Sequence, residues 1–96
     1  MITTLNISAQ TREELNVALK TVGLSENVNL LAMHLSEIEE ESGNVFDLLT
    51  ALRSHAHQGD AGAGQESLAE LTIALEHLLH HVKEVLPDLQ KQLDLV

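Results

Sequence analysis

Apolar side chains recur three and four positions apart over most of the chain, which is the spacing of one face of an α-helix. One such row interrupted by Ser42 lies between residues 24 and 56 and comprises Leu24, Val28, Leu31, Leu35, Ile38, Val45, Leu49, Leu52 and Ala56. A second row, interrupted by Gln92, comprises Leu68, Leu71, Leu75, Leu78, Val82, Val85, Leu89 and Val96. Alternating spacings of three and four form a heptad seam. The sequence therefore predicts an all-α protein with two long helices.

The first row predicts a helix over residues 25–57 that opens at Ser25. This helix would contain Gly43, in the triplet Ser-Gly-Asn. Because the heptad phase is preserved across the triplet, we favour one continuous helix, in which Gly43 costs about 1 kcal/mol relative to alanine. The alternative ends the helix at Gly43 and restarts it at Asn44, which would give a compact four-helix bundle from one chain.

A glycine-rich segment over residues 58–66 separates the two rows and is predicted to be a flexible loop. It contains no lysine and no GK[ST] motif, so it is not a phosphate-binding P-loop. Ser67 and Glu70 can form a capping box at the start of the next helix, which is predicted over residues 68–95. Pro87 lies inside that pattern and predicts a kink or a separate last segment.

A shorter helix is predicted over residues 11–22. Thr11 and Glu14 can form a capping box at its start, and Gly23 supplies the left-handed residue that ends many helices. Upstream, residues 1–10 contain β-branched residues but are too short and isolated to form a sheet. We interpret them as an N-terminal arm.

The short connection between two long helices predicts an antiparallel helical hairpin. Leu79, Leu86 and Leu93 lie beside the seam of the third helix, so its apolar face covers about three positions in seven and suits contact with two neighbours. A hairpin about 45–50 Å long and one short N-terminal helix cannot cover such faces. The single domain of 96 residues is therefore predicted to form a four-helix-bundle-type homodimer.

The formal net charge is −10, and Phe46 is the single aromatic residue. Nucleic-acid binders use basic patches or stacking aromatic side chains, so we expect no nucleic-acid partner and no docking on an anionic membrane. A basic protein partner is compatible with the charge, and the candidate interaction surface is the acidic stretch Glu37, Glu39, Glu40 and Glu41. The sequence has neither a signal-peptide pattern nor an apolar run of membrane-spanning length, so we expect a cytoplasmic protein.

Three of the six histidines lie close together at His77, His80 and His81. His77 and His81 are one helical turn apart, and such a pair can bind zinc or nickel. A firm site needs a third protein ligand, and pairing across the predicted loop would place residue 81 near residue 42, beside the glutamates at 39–41. His77 and His81 are therefore candidate metal ligands. The Glu-x-x-His repeats of di-iron bundles are absent. The alternative to a metal site is a surface histidine cluster without a ligand. We expect no cofactor.

His80-His81-Val82-Lys83 resembles the motif of histidine-containing phosphotransfer domains, in which a solvent-facing histidine is followed three residues later by lysine and then by glycine. The resemblance covers four residues and implies that His80 accepts a phosphoryl group. Glu84 stands where the family has glycine, and its carboxylate would repel that group.

The other histidines have structural explanations. His55 and His57 lie near a helix C-terminus, where the helix dipole favours them, and His34 stands alone on a helix flank. No nucleophile motif is present, and a narrow Leu/Val bundle leaves little room for a substrate, so we expect no enzymatic activity. The favoured hypothesis is a small acidic helical protein that acts as an interaction partner or regulatory adaptor. The alternatives are a metal-responsive bundle and a phosphotransfer module.

Overall fold

The computed structural model describes residues 4–95, with side chains over residues 9–94. Its elements are α1 (Thr4–Thr21), α2 (Val28–His57) and α3 (Ala61–Leu95). The described residues contain no strand, so the all-α prediction is confirmed. α2 packs against both other helices, and the dimensions are 52 × 35 × 16 Å. Because a helix with side chains is about 10–12 Å across, the helices lie side by side in a layer little more than one helix thick.

Both interhelical turns contain a glycine in the left-handed conformation: φ is 104° at Gly23 and 73° at Gly59. After α1, the N–H of Gly23 donates to the carbonyl of Lys20, and the N–H of Leu24 donates to the carbonyl of Leu19, each at 3.1 Å. This pair of bonds is a Schellman motif, and buried Leu24 makes the apolar contact with Leu19 that accompanies it. The prediction that Gly23 ends the first helix is confirmed.

The predicted loop over residues 58–66 is too long. α3 already begins at Ala61, so two of the three glycines of this segment lie in its first turns. The reason is Asp60, whose Oδ1 accepts a hydrogen bond from the backbone N–H of Ala63 at 3.0 Å and so satisfies an orphan donor at the helix start. Ser67, the predicted cap, lies within α3.

The shorter turn changes which residues of α2 and α3 meet. His81 lies against His34, with their Nδ1 atoms 2.9 Å apart, and His77 lies near Glu41. The prediction that residue 81 approaches residue 42 is therefore wrong by about two helical turns. Each residue that belongs to α3 and not to the loop shifts which residues of α2 and α3 face each other.

The boundaries near the N-terminus also differ from those predicted. α1 begins at Thr4 and includes most of the predicted arm, so Thr11 lies inside a helix and is not its cap. The difference in helix propensity between β-branched and other residues is small and is easily overridden. α2 begins at Val28 and not at Ser25, since Asn27 has a left-handed φ of 54°, which asparagine tolerates better than most residues. The first three residues of the predicted arm lie outside the described part.

α2 and α3 are each a single helix. α2 continues through Gly43, as in the favoured interpretation, so the alternative with a turn at Gly43 does not hold. α3 continues through Pro87, and the separate last segment is not formed. Proline donates no backbone hydrogen bond, so the carbonyl of Lys83 lacks its helical partner. Pro87 and Lys83 are both exposed, which leaves that carbonyl accessible to water.

The hydrophobic core is small. Leu24, Val28, Leu31 and Val85 form its buried centre, and a partly buried rim surrounds them, comprising Leu19, Leu35, Ile38 and Leu89. Within residues 9–94, seven apolar side chains are buried, although 44% of the chain is hydrophobic. Much of the apolar surface therefore stays outside the core of one chain.

Gln92 ties the end of α3 to the connector before α2. Its side chain is 5% exposed, and its Nε2 donates to the backbone carbonyl of Glu26 at 2.9 Å and to Oδ1 of Asp88 at 3.2 Å. The residue that interrupts the predicted apolar seam therefore has a structural role, because it holds the connector against α3.

The two hairpin glycines should respond to alanine in opposite directions. Gly43→Ala should raise the free energy of unfolding by about 0.5–1 kcal/mol, since nothing lies within 4 Å of the added Cβ. Gly59→Ala should lower it by about 1–2 kcal/mol, because φ there is 73°. Urea denaturation measures both, and a gain from Gly59→Ala would contradict the turn described above.

Removing the Gln92 side chain should weaken the contact between α3 and the connector. We expect Gln92→Ala to lower the free energy of unfolding by about 1–2 kcal/mol, because a buried hydrogen bond to the backbone is lost. The control is Gln90→Ala, an exposed position of α3, whose effect should stay within about 0.5 kcal/mol. Equal losses for the two variants in urea denaturation would contradict this role for Gln92.

Candidate functional site

The contact line of α3 against α2 follows a heptad pattern but is only partly apolar. Its members, all buried or half-buried, are Ser67, Leu71, Ala74, Leu78, His81, Val85, Asp88 and Gln92. The matching line on α2 is Leu31, His34, Ile38, Glu41, Val45, Leu48, Leu52 and His55. Of the predicted seam of α3, Leu71, Leu78 and Val85 lie on the contact line. Leu68 and Leu75 are exposed and lie beside the contact line, Val82 and Leu89 are half-buried, and Val96 lies outside the described residues.

The residue that follows each contact position of α3 is apolar at seven of eight places, the exception being Thr72. We call these seven the leucine row: Leu68, Leu75, Leu79, Val82, Leu86, Leu89 and Leu93. The five leucines at 68, 75, 79, 86 and 93 are 46–64% exposed. Most of the leucine row is therefore exposed, although Val82 and Leu89 are half-buried and Leu89 packs against the core.

α2 extends this apolar surface. Phe46 and Leu49 directly follow the contact positions Val45 and Leu48, and they are 65% and 43% exposed. Two antiparallel helices are related by an approximate twofold axis perpendicular to their common plane. Residues that follow the contact positions by one therefore lie on the same broad side of both helices. We call the leucine row together with Phe46 and Leu49 the leucine face.

The opposite broad side is acidic and carries histidines. The residues that precede the contact positions include Glu66, Glu70, His77, His80 and Glu84 on α3, and Glu37, Glu40 and Asp47 on α2. We call this set the acidic–histidine face. The same side also carries two exposed apolar residues, Leu30 and Ile73. The hairpin thus has two broad sides of different chemistry.

The four glutamates of the predicted interaction surface are divided among three positions. Glu37 and Glu40 belong to the acidic–histidine face. Glu41 lies half-buried on the contact line, and Glu39 follows contact residue Ile38 and so lies on the side of the leucine face. The predicted acidic stretch is therefore not one continuous surface.

The two candidate metal ligands have different neighbours. His81 lies across the helix contact from His34, whereas Nδ1 of His77 lies 3.8 Å from Oε2 of Glu41 and the side chain of His77 is 69% exposed. Within the described residues, no group of three or more histidine, aspartate or glutamate side chains is arranged to hold a metal ion.

The sequence analysis missed His34 as a partner of His81. It placed residue 81 near residue 42, because it assigned too many residues to the loop. The signal that could have found the pair is Asp60, a strong N-cap residue directly after Gly59. With the turn placed there, His34 and His81 fall in one layer of the hairpin.

His80, the candidate phosphoryl acceptor, is exposed, and its ring lies edge-on to that of His81 with ring centroids 5.2 Å apart. Lys83 and Glu84 are also exposed. The phosphotransfer interpretation remains a prediction from the resemblance of four residues.

A shallow cavity of about 410 Å³ lies at the turn of the hairpin, next to the leucine row. Small residues form much of it, including Ala56, Gly59 and Gly64, and Leu68 of the leucine row lines one side. Its lining is mainly apolar, so it extends the leucine face to the end of the molecule. This is a surface that suits an apolar side chain.

Comparison of the chain with protein-family models, with curated proteins and with solved structures finds no match. Among the described residues, no helix is both long enough and apolar enough to cross a bilayer.

Proposed function

We propose that this chain is a non-enzymatic helical interaction protein, which pairs with a second copy through the leucine face and offers its acidic–histidine face to a basic protein partner. The observation that supports the proposal is the exposed leucine row. Monomeric soluble proteins rarely leave a contiguous apolar surface of more than a few hundred Å² uncovered. A row of leucines along a helix is therefore a surface for another protein.

The broad side that carries the leucine face is large enough for a stable dimer. α3 has 35 residues, so at 1.5 Å per residue it is about 52 Å long. With the adjoining side of α2 the strip is roughly 20 Å wide, since each helix is about 10 Å across, which gives roughly 1,000 Å² per copy. A standard protein–protein interface buries about 800 Å² on each partner.

The spacing of the leucine row is compatible with pairing to a second copy. Including Thr72, the row advances by 4, 3, 4, 3, 4, 3 and 4 residues, a series that reads the same from either end. A twofold axis between residues 80 and 81 would pair two such rows antiparallel. The apolar pairs would be Leu79 with Val82, Leu75 with Leu86, and Leu68 with Leu93 of the second copy. An isologous interface requires this self-complementarity.

The thin shape and the charge distribution are compatible with face-to-face pairing. A single layer of helices has one broad side uncovered, and stable domains are built from at least two packed layers. Two copies would form a two-layer helical bundle. Each chain carries a net charge of −10, but among the residues that directly follow the contact positions of α2 and α3 only Glu39 is acidic, whereas six acidic residues lie on the acidic–histidine face. That face would point away from the second copy and would remain available to a basic partner.

The proposed dimer should depend on the leucine face and not on exposed apolar residues in general. We expect light scattering after size exclusion to give the mass of two chains of 10.5 kDa each. Leu79→Glu should raise the dimer dissociation constant at least about 100-fold, because a buried leucine is worth about 1.5–3 kcal/mol and the change occurs twice.

The matched control is Ile73→Glu. Ile73 is 57% exposed and Leu79 is 51% exposed, but Ile73 lies on the opposite face. This variant should keep the mass of two chains. Circular dichroism should show both variants to be as helical as the original chain. A mass of one chain for the original protein, or equal dissociation of the two variants, would contradict the proposal.

A further inference from the structure

The His34–His81 pair lies on the contact line between α2 and α3, and neither the leucine face nor the acidic–histidine face includes it. His34 is 8% exposed, and His81 is half-buried. The two Nδ1 atoms are 2.9 Å apart, and the ring centroids are 5.2 Å apart. The distance between the ring centroids exceeds the distance between the Nδ1 atoms by about the width of one imidazole ring. The two nitrogen atoms therefore point at each other head-on.

Head-on geometry identifies a hydrogen bond and not a shared metal ion. A metal on the line between the two nitrogens would need them about 4 Å apart, since each metal–nitrogen bond is about 2.0–2.1 Å. Two rings that ligate one ion with their nitrogens 2.9 Å apart would meet at about 90° at the metal, and their centroids would then be closer together than the 5.2 Å between His34 and His81. At 2.9 Å, one neutral ring donates its Nδ1–H and the other accepts with Nδ1. The two histidines must therefore be opposite tautomers.

We propose that the His34–His81 pair is a proton-sensitive lock between α2 and α3, which tolerates one added proton and opens when both rings are protonated. The first proton can bind Nε2 of the donor ring, whose Nδ1–H continues to donate. The second proton must bind the accepting Nδ1. Two N–H groups and two positive charges would then face each other at 2.9 Å, and the hydrogen bond would be lost.

The surroundings of the pair contain groups of both signs. Near the pair along the contacting helices, the titratable groups are His77, His80, Lys83 and Glu84 on α3 and Glu37 and Glu41 on α2. On α1, Arg12 and Glu13 line a depression that Met33, the residue before His34, also lines. His80 adds a third imidazole next to His81, so acid increases the positive charge there. Glu37 and Glu84 are exposed, and solvent screens their attraction.

Proton counting gives the direction of the effect. Histidines in an unfolded chain are mostly protonated below about pH 6, so the unfolded chain binds two protons at these positions where the closed pair holds one. Stability rises with pH wherever the unfolded state binds more protons. The hairpin should therefore lose stability as the pH falls through the range in which histidines of an unfolded chain become charged.

The test compares thermal unfolding between pH 8 and pH 5, followed by circular dichroism. In the variant His34→Leu/His81→Leu both partners become apolar, which avoids an unpaired buried group. Between pH 7.5 and pH 5, the melting temperature of the original chain should fall by at least about 5 °C more than that of the double variant. This is the shift expected for a domain of this size when one buried hydrogen bond is lost. His57→Gln, at an exposed position, should behave like the original chain. Equal pH dependence of the original chain and the double variant would overturn the proposal.

A second measurement uses the unaltered chain and does not depend on the folding of a variant. Long-range ¹H–¹⁵N spectra at pH 7.5 should show one of the two rings protonated at Nδ1 and the other at Nε2. Two rings in the same tautomer that titrate independently would also overturn the proposal. Neither measurement requires self-association, so the lock and the proposed dimer can fail separately.

Discussion

The turn between α2 and α3 determines which residues of two long helices meet. Gly59 ends α2 in the left-handed conformation, and Asp60 caps α3 directly afterwards. A turn this short leaves little freedom in the pairing, so His34 lies opposite His81, and Glu41 lies near His77. The identity of both broad faces follows from that pairing.

The contact line of α3 contains both polar and apolar residues, whereas the neighbouring leucine row is almost entirely apolar. Ser67, His81, Asp88 and Gln92 all lie on the contact line of α3, and two of these residues make hydrogen bonds that connect separate parts of the chain. Polar contacts of this kind specify one arrangement of helices, since an unpaired buried polar group is costly. The leucine row, by contrast, has little geometric specificity within one chain. It is therefore suited to contact with a second layer.

The hydrophobic pattern was sufficient to predict three helices, an antiparallel hairpin and the continuity of α2 through Gly43. It was not sufficient to predict the pairing of the helices. The predicted seam of α3 and the contact line with α2 share Leu71, Leu78 and Val85. The contact line has Ser67 and Ala74 where the predicted seam has Leu68 and Leu75, one residue later. Hydrophobicity indicates that a face will be buried but not which neighbour buries it.

The histidines illustrate the same limit. His77 and His81 form a plausible ligand pair along one helix, and their spacing can be read directly from the sequence. The partner of His81 is on another helix, so it could be found only with the correct turn. A residue without a sequence neighbour of similar chemistry, such as His34, can therefore have an important partner in space.

The central claim is that two leucine rows pair antiparallel about a point between residues 80 and 81. The chain has no cysteine, so a spin label can be attached at exposed Gln90 as Gln90→Cys without altering the leucine row. Pulsed electron spin resonance then measures the distance between the labels of two copies. Antiparallel pairing predicts about 30 Å, since the labels lie about 19 residues apart along the helix axis at 1.5 Å each. The absence of a distance between copies, or a distance near 10–15 Å as in parallel pairing of helices about 10 Å apart, would contradict the claim.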